Sequence, residues 1–134
     1  MERVVKINNE ATKRLLSEAL PMLTANAREL VGTVRVYATD CRRGRANWRA
    51  RLVRVPSWVF KDRVNFAGKG LIDGGPTFAA YYLAHELAHV KAASDTHGAQ
   101  FMAAFKELCP VALQGYETIY KPKRAAAAGI VPNA

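Results

Sequence analysis

Three observations predict an α+β fold for this chain of 134 residues. Apolar residues recur at helical spacing as far as Gly32, the spacing then changes to two, and a long apolar helix follows Gly74-Gly75-Pro76. The length suits one domain with one core. With 50% apolar and 23% charged residues, the composition is that of a globular protein rather than a disordered segment.

In chain order, Asn8 or Asn9 is placed to cap a helix whose inward stripe would be Leu15, Leu16, Ala19 and Leu20. Pro21 should kink that helix or open the next, in which Leu23, Ala27 and Leu30 lead to a stop at Gly32. Val34, Val36 and Ala38 alternate with polar partners and predict a strand. After turn-forming residues from Asp40 to Arg45, Ala46, Trp48, Ala50 and Leu52 alternate again, which predicts a hairpin with an arginine-rich polar face. Val53 and Val55 continue that strand or start a third, so a short antiparallel sheet of two or three strands is expected. Residues 61–75 hold four of the nine glycines and read as loop. Pro76 to about Ala93 reads as one helix, Ser94-Asp95-Thr96 as its break, and about His97 to Leu108 as a second helix. Residues 1–120 are expected to form the domain, and 121–134 a basic, alanine-rich tail.

The first residues, MERVVKINNEATKR, lack the apolar core of a secretory signal, and no apolar run approaches the roughly 20 residues that cross a bilayer. A cytoplasmic location and no membrane partner are expected. Cys41 and Cys109 lie far apart without a CxxC partner and are expected as reduced thiols. Between Arg35 and Arg63, nine basic residues face two acids, so this segment holds most of the net charge of +9. Such a concentrated field attracts polyanions. Arg42, Arg43, Arg45, Arg49 and Arg51 are therefore the candidate nucleic-acid contacts, set against the plainer reading of a solvated basic hairpin.

The chemistry lies in His85-Glu86-Leu87-Ala88-His89. Four residues turn a helix by about 400°, so the two imidazoles project from one face, one turn apart, and can share one ion. Glu86 falls beside that ion, where its carboxylate can act as general base toward a water on zinc. A catalytic zinc takes three protein donors and leaves a position for water. His97 is the leading third donor, which requires the chain to turn at Ser94-Asp95-Thr96, because eight residues of unbroken helix span about 12 Å. A carboxylate, Glu107 or Glu117, is the rival third ligand, and helical geometry turns Glu107 away from the Phe101/Phe105/Leu108 face. Tyr81, one turn before His85, either lines the cleft or packs in the core. Tyr116 and Tyr120 are candidate oxyanion donors that spacing does not separate. Cys41, beside Arg42 and Arg43, is read as an inert thiol.

The run YYLAHELAHVKAASDTHGAQF resembles the SprT-like metalloprotease family, which includes the Spartan DNA–protein crosslink proteases. The resemblance rests on HExxH, a short spacer and His-Gly with a following aromatic, here His85, Glu86, His89, His97, Gly98 and Phe101, and extends weakly over about residues 10–110. It implies a small zincin-like domain, Zn2+ as cofactor, hydrolysis of peptide bonds in protein or peptide substrates, and work near DNA. The chain lacks the cysteine pairs of the zinc ribbon that many members carry, so DNA contacts would fall to the basic hairpin or to Lys121, Lys123 and Arg124. Two rival functions are a DNA-binding module with a structural zinc and a zinc-dependent nuclease. Known three-histidine endoribonucleases of similar spacing lack the glutamate after the first histidine, so Glu86 favours the peptidase.

Overall fold

The architecture is that of a computed structural model whose described residues are 6–66, 68 and 70–117. It is mixed α+β. Helix α1 (Asn9–Arg14) starts where Asn8 accepts the Ala11 N–H at 2.9 Å. It runs into a widened π-type turn over Leu15–Ala19 and a 3-10 turn over Leu20–Met22. Pro21 supplies the cause, since its ring crowds the carbonyl four residues back and it has no N–H to return. Leu15 and Ala19 are buried as predicted, but Leu16 is exposed, one step off the inward face. Helix α2 (Ala25–Val31) is capped by Thr24 and stops at Gly32.

The strands depart from expectation. β1 (Arg35–Thr39), β2 (Arg45–Asn47) and β3 (Leu52–Pro56) form one sheet in the order β1-β3-β2. β1 pairs with β3 in parallel, Val36 opposite Val53 and Ala38 opposite Val55, while β2 pairs with β3 antiparallel. The predicted antiparallel hairpin of residues 33–52 is thus replaced by a mixed sheet in which the third strand lies between the first two. The predicted strand from Ala46 to Leu52 breaks because Asn47 accepts the Ala50 N–H at 3.0 Å and Arg51 takes φ 53°, which makes a tight turn without glycine. The glycine-rich stretch read as loop contains a short hairpin, β4 (Arg63–Asn65) with β5 (Leu71–Asp73), in which Val64 is buried. Strands of three residues carry too few alternations to rise above the glycines around them.

Helix α3 (Pro76–Ala92) is the central element. At its entry a side chain on Gly74 would overlap the Lys61 carbonyl, and Gly75 has φ 112°, so both places demand glycine. Its residues Phe78, Ala80, Leu83, Ala84 and Leu87 are fully buried, as are Val53, Val55 and Val59. Each such valine or leucine contributes about 1.5–3 kcal/mol of burial. Packing all round explains why α3 lacks a polar face. Helix α4 (Ala99–Leu108) lies against α3 through Phe101, Phe105 and Leu108. The link between them turns at Ala93, left-handed at φ 50°, with the Ser94 N–H reaching the His89 carbonyl at 3.2 Å. His97 therefore sits in this link, ahead of α4 and not on it as predicted. Among the described residues no helix is long and apolar enough to cross a membrane. The predicted tail, 121–134, and Tyr120 lie outside the described residues.

Candidate metal centre

Helix α3 and the link after it bring His85, His89 and His97 together, with a nitrogen from each lying within 4.8 Å of the others. The ring centroids are 5.2, 5.0 and 4.7 Å apart. Phe101, fully buried, lies beneath all three rings at 4.6–4.9 Å and sets their common level. Its position in the first turn of α4 follows from packing that helix on α3.

Hydrogen bonds on the far sides of the rings orient two of the histidines. The Nδ1 of His89 stands 2.9 Å from the Ser94 carbonyl, which only accepts, so the ring carries its proton there and keeps an Nε2 lone pair. The Nδ1 of His85 stands 3.3 Å from Oε2 of Glu117, and Tyr81 donates its hydroxyl to that same oxygen at 2.7 Å. Burial pushes the Glu117 carboxyl up, but the hydrogen bond and charge of His85, the Tyr81 hydroxyl and the charge of His97 outweigh it and hold the group below its usual range. An ionised Glu117 accepts a hydrogen bond from the Nδ1–H of His85, which turns the Nε2 lone pair toward His97.

The Nε2 of His85 is 3.1 Å from Nε2 of His97. Two bare lone pairs at that separation repel, so the gap suits a shared proton or a cation. Two nitrogens on one tetrahedral zinc, each bonded at about 2.05 Å, lie about 3.3 Å apart. Three imidazole nitrogens within 4.8 Å of one another are therefore compatible with a shared metal ion such as zinc. Among the described residues, no fourth histidine, cysteine or carboxylate joins the group.

Glu86 is 7% exposed and lines the same cleft as the histidines. Burial pushes its carboxyl up to about 7, against a smaller opposing effect of His85. A bound cation would pull it back down. The cleft, about 380 Å³, is lined on its other sides by Arg43, Gly44, Arg45 and Ala46 of the crossing into β2, by the aromatic rings of Phe66, Tyr81 and Tyr82, and by Asp95.

The rival carboxylates separate cleanly. Glu107 is on the outer side of α4, bonded to Asn26 at 3.0 Å and paired with Lys91 at 3.4 Å. Glu117 is near the histidines but behind His85, outside the donor group. Tyr81 is buried and also borders the cleft, and Tyr116 packs 5.1 Å from it. Sequence reasoning missed the supporting role of Glu117 and the floor made by Phe101. An acid that returns to the active helix from a distant segment leaves no local pattern.

The five arginines do not act as one face. Arg43 and Arg45 line the cleft. Arg49 stacks over Trp48 at 4.6 Å, Arg51 donates to the Thr33 carbonyl and hydroxyl, and Arg42 is exposed on the bend, its carbonyl accepting the Trp58 indole N–H at 3.0 Å. Cys41 and Cys109 are free thiols, and burial with the nearby Glu117 charge pushes Cys109 up to about 12. Comparison of the chain with protein-family models, with curated proteins and with solved structures gives no match.

Proposed function

We propose that the chain is a zinc-dependent peptidase of zincin-like, SprT-like type. The observation that carries this reading is the convergence of three imidazoles beside a buried carboxylate in an open cleft. His85, His89 and His97 would hold the ion. When bound, zinc acidifies water and polarises a carbonyl. Glu86 accepts the proton of the attacking water and delivers it to the departing amine, a task for which a carboxyl perturbed toward neutrality is suited. Burial of Glu86 between the helix and the cleft keeps bulk water from competing for that proton. β2 is the edge of its sheet among the described residues and borders the cleft, so an extended peptide can add to it as a strand.

The three-donor group favours this reading over a structural zinc, which takes a fourth protein ligand. The glutamate beside the histidines favours it over a nuclease. Two free thiols accord with a reducing, cytoplasmic setting. DNA association through Arg42, Arg49 and Arg51, which do not line the cleft, belongs to the same proposal, supported by the charge of the segment. The test is Glu86→Gln assayed for zinc content and casein cleavage, with and without single-stranded DNA. The variant should retain zinc and lose turnover, and cleavage at the wild-type rate would remove Glu86 from the mechanism.

A further inference from the structure

The turn that leads into β2 is held from several sides. Gly44 donates its N–H to the Tyr82 hydroxyl at 2.9 Å, and a side chain there would collide with the Tyr82 ring and the Arg54 carbonyl. The Cys41 thiol donates to the Arg43 carbonyl at 3.1 Å, and Trp58 holds the Arg42 carbonyl. Tyr82 lies on α3 one turn before His85 and Glu86, so this anchor ties the turn to the element that carries the histidines. The residues on either side of Gly44 are Arg43 and Arg45, both exposed and both lining the cleft. Among the described residues neither has a carboxylate within ion-pair distance. Arg45 also faces Arg54 directly across the β2–β3 ladder, a like-charge pair that a sheet disfavours.

We infer that Arg43 and Arg45 form a carboxylate-binding subsite at the mouth of the histidine cleft, which selects peptides with a carboxylate beside the bond to be cut. The inference rests on reading the cleft as a peptide site. A guanidinium presents paired N–H donors that match a carboxylate, and a turn fixed in advance loses little freedom when it binds. The carboxylate can belong to an aspartate or glutamate side chain or to a free C-terminus, which offer the same chemistry. A peptide suits the cleft better than a polynucleotide does. With a phosphate on every residue, a nucleic acid reaching the two arginines would bring several phosphates into a cleft that also holds Asp95 and Glu86, whereas a peptide can bring a single carboxylate.

The experiment measures binding of dye-labelled peptides by fluorescence anisotropy to zinc-supplemented Glu86→Gln protein, which prevents turnover. Four versions of one peptide combine glutamate or glutamine with a free or amidated C-terminus, and so distinguish the two carboxylate sources. At least one carboxylate form should bind about tenfold more tightly than the neutral amide at low salt. That contrast should shrink to about twofold or less in Arg43→Gln/Arg45→Gln, and Arg45→Lys, which keeps the charge without the fork, should fall between. Equal binding of all four peptides, or a contrast that survives in the double variant, overturns the subsite. So does a single-stranded oligonucleotide that displaces the peptide and itself loses affinity in the double variant, since the arginines then serve phosphate. Hydrolysis of the same peptides by wild type is read separately. Carboxylate-selective binding without cleavage of any peptide keeps the subsite and overturns the peptidase, and cleavage with equal binding of all four does the reverse.

Discussion

The Glu117 carboxylate stands 3.3 Å from the Nδ1 of His85, on the edge of the ring opposite the one that meets His97. A carboxylate behind a metal-binding histidine fixes its tautomer, aims its other nitrogen and makes that nitrogen a stronger donor. Glu117→Gln should therefore weaken zinc binding about 10- to 100-fold while leaving one ion per chain. Tyr81→Phe, which removes the second hydrogen bond to the same oxygen, should weaken it less. Competition with a zinc chelator measures both, and unchanged affinity in Glu117→Gln would show the contact to be incidental.

The raised carboxyl of Glu86 predicts a pH dependence of stability in the metal-free protein. A carboxyl whose folded value, about 7, exceeds its ordinary value near 4.5 keeps its proton in the folded chain after the unfolded chain has lost it. Stability from this group is complete below 4.5, falls as pH rises between about 4.5 and 7, and is level above that. The full loss is on the order of 3 kcal/mol. Urea unfolding from pH 4.5 to 8 should show this decline in wild type and a flatter profile in Glu86→Gln. Parallel profiles would mean that Glu86 is not perturbed.

At Ala93 the chain leaves α3 in the left-handed region, at φ 50°. A residue with a Cβ pays about 1 kcal/mol there relative to glycine. Ala93→Gly should stabilise the protein by up to about 1 kcal/mol and raise its melting temperature by a few degrees. A fall in melting temperature would contradict the backbone geometry that brings His97 back to the helix.

Gly44 has the opposite constraint, because its surroundings leave no room for a methyl group. Gly44→Ala should cost about 1–3 kcal/mol, as overpacking does. Combined with Tyr82→Ala, which removes the closer of the two obstructions and leaves the Arg54 carbonyl, the two losses should be less than additive. Denaturant unfolding of the three variants decides it, and strict additivity would separate the turn from the helix.

Much of this was legible in the sequence because it is local. The Asn8 cap, the stop at Gly32, the Gly75-Pro76 entry to α3 and the i, i+4 pairing of His85 with His89 each follow from a few neighbouring residues. The parallel pairing of β1 with β3 was not legible, since alternation shows which side chains face inward but not which strand lies alongside. The turn at Trp48–Arg51 was hidden because its left-handed residue is an arginine rather than a glycine. The break after Ala93 announced that His97 must return, and it does so from the link rather than from α4, because Gly98 precedes the first helical residue. Glu117 could be named only as a candidate acid. Its place behind His85 depends on where the chain goes after α4.

The proposed function requires that His85, His89 and His97 together hold one zinc ion. Calorimetric titration of the metal-free protein with zinc, set beside His97→Ala, tests it most directly. Wild type should bind one ion tightly per chain, and the variant should bind it at least about 100-fold more weakly. Failure of wild type to bind zinc, or equal affinity in His97→Ala, would contradict it.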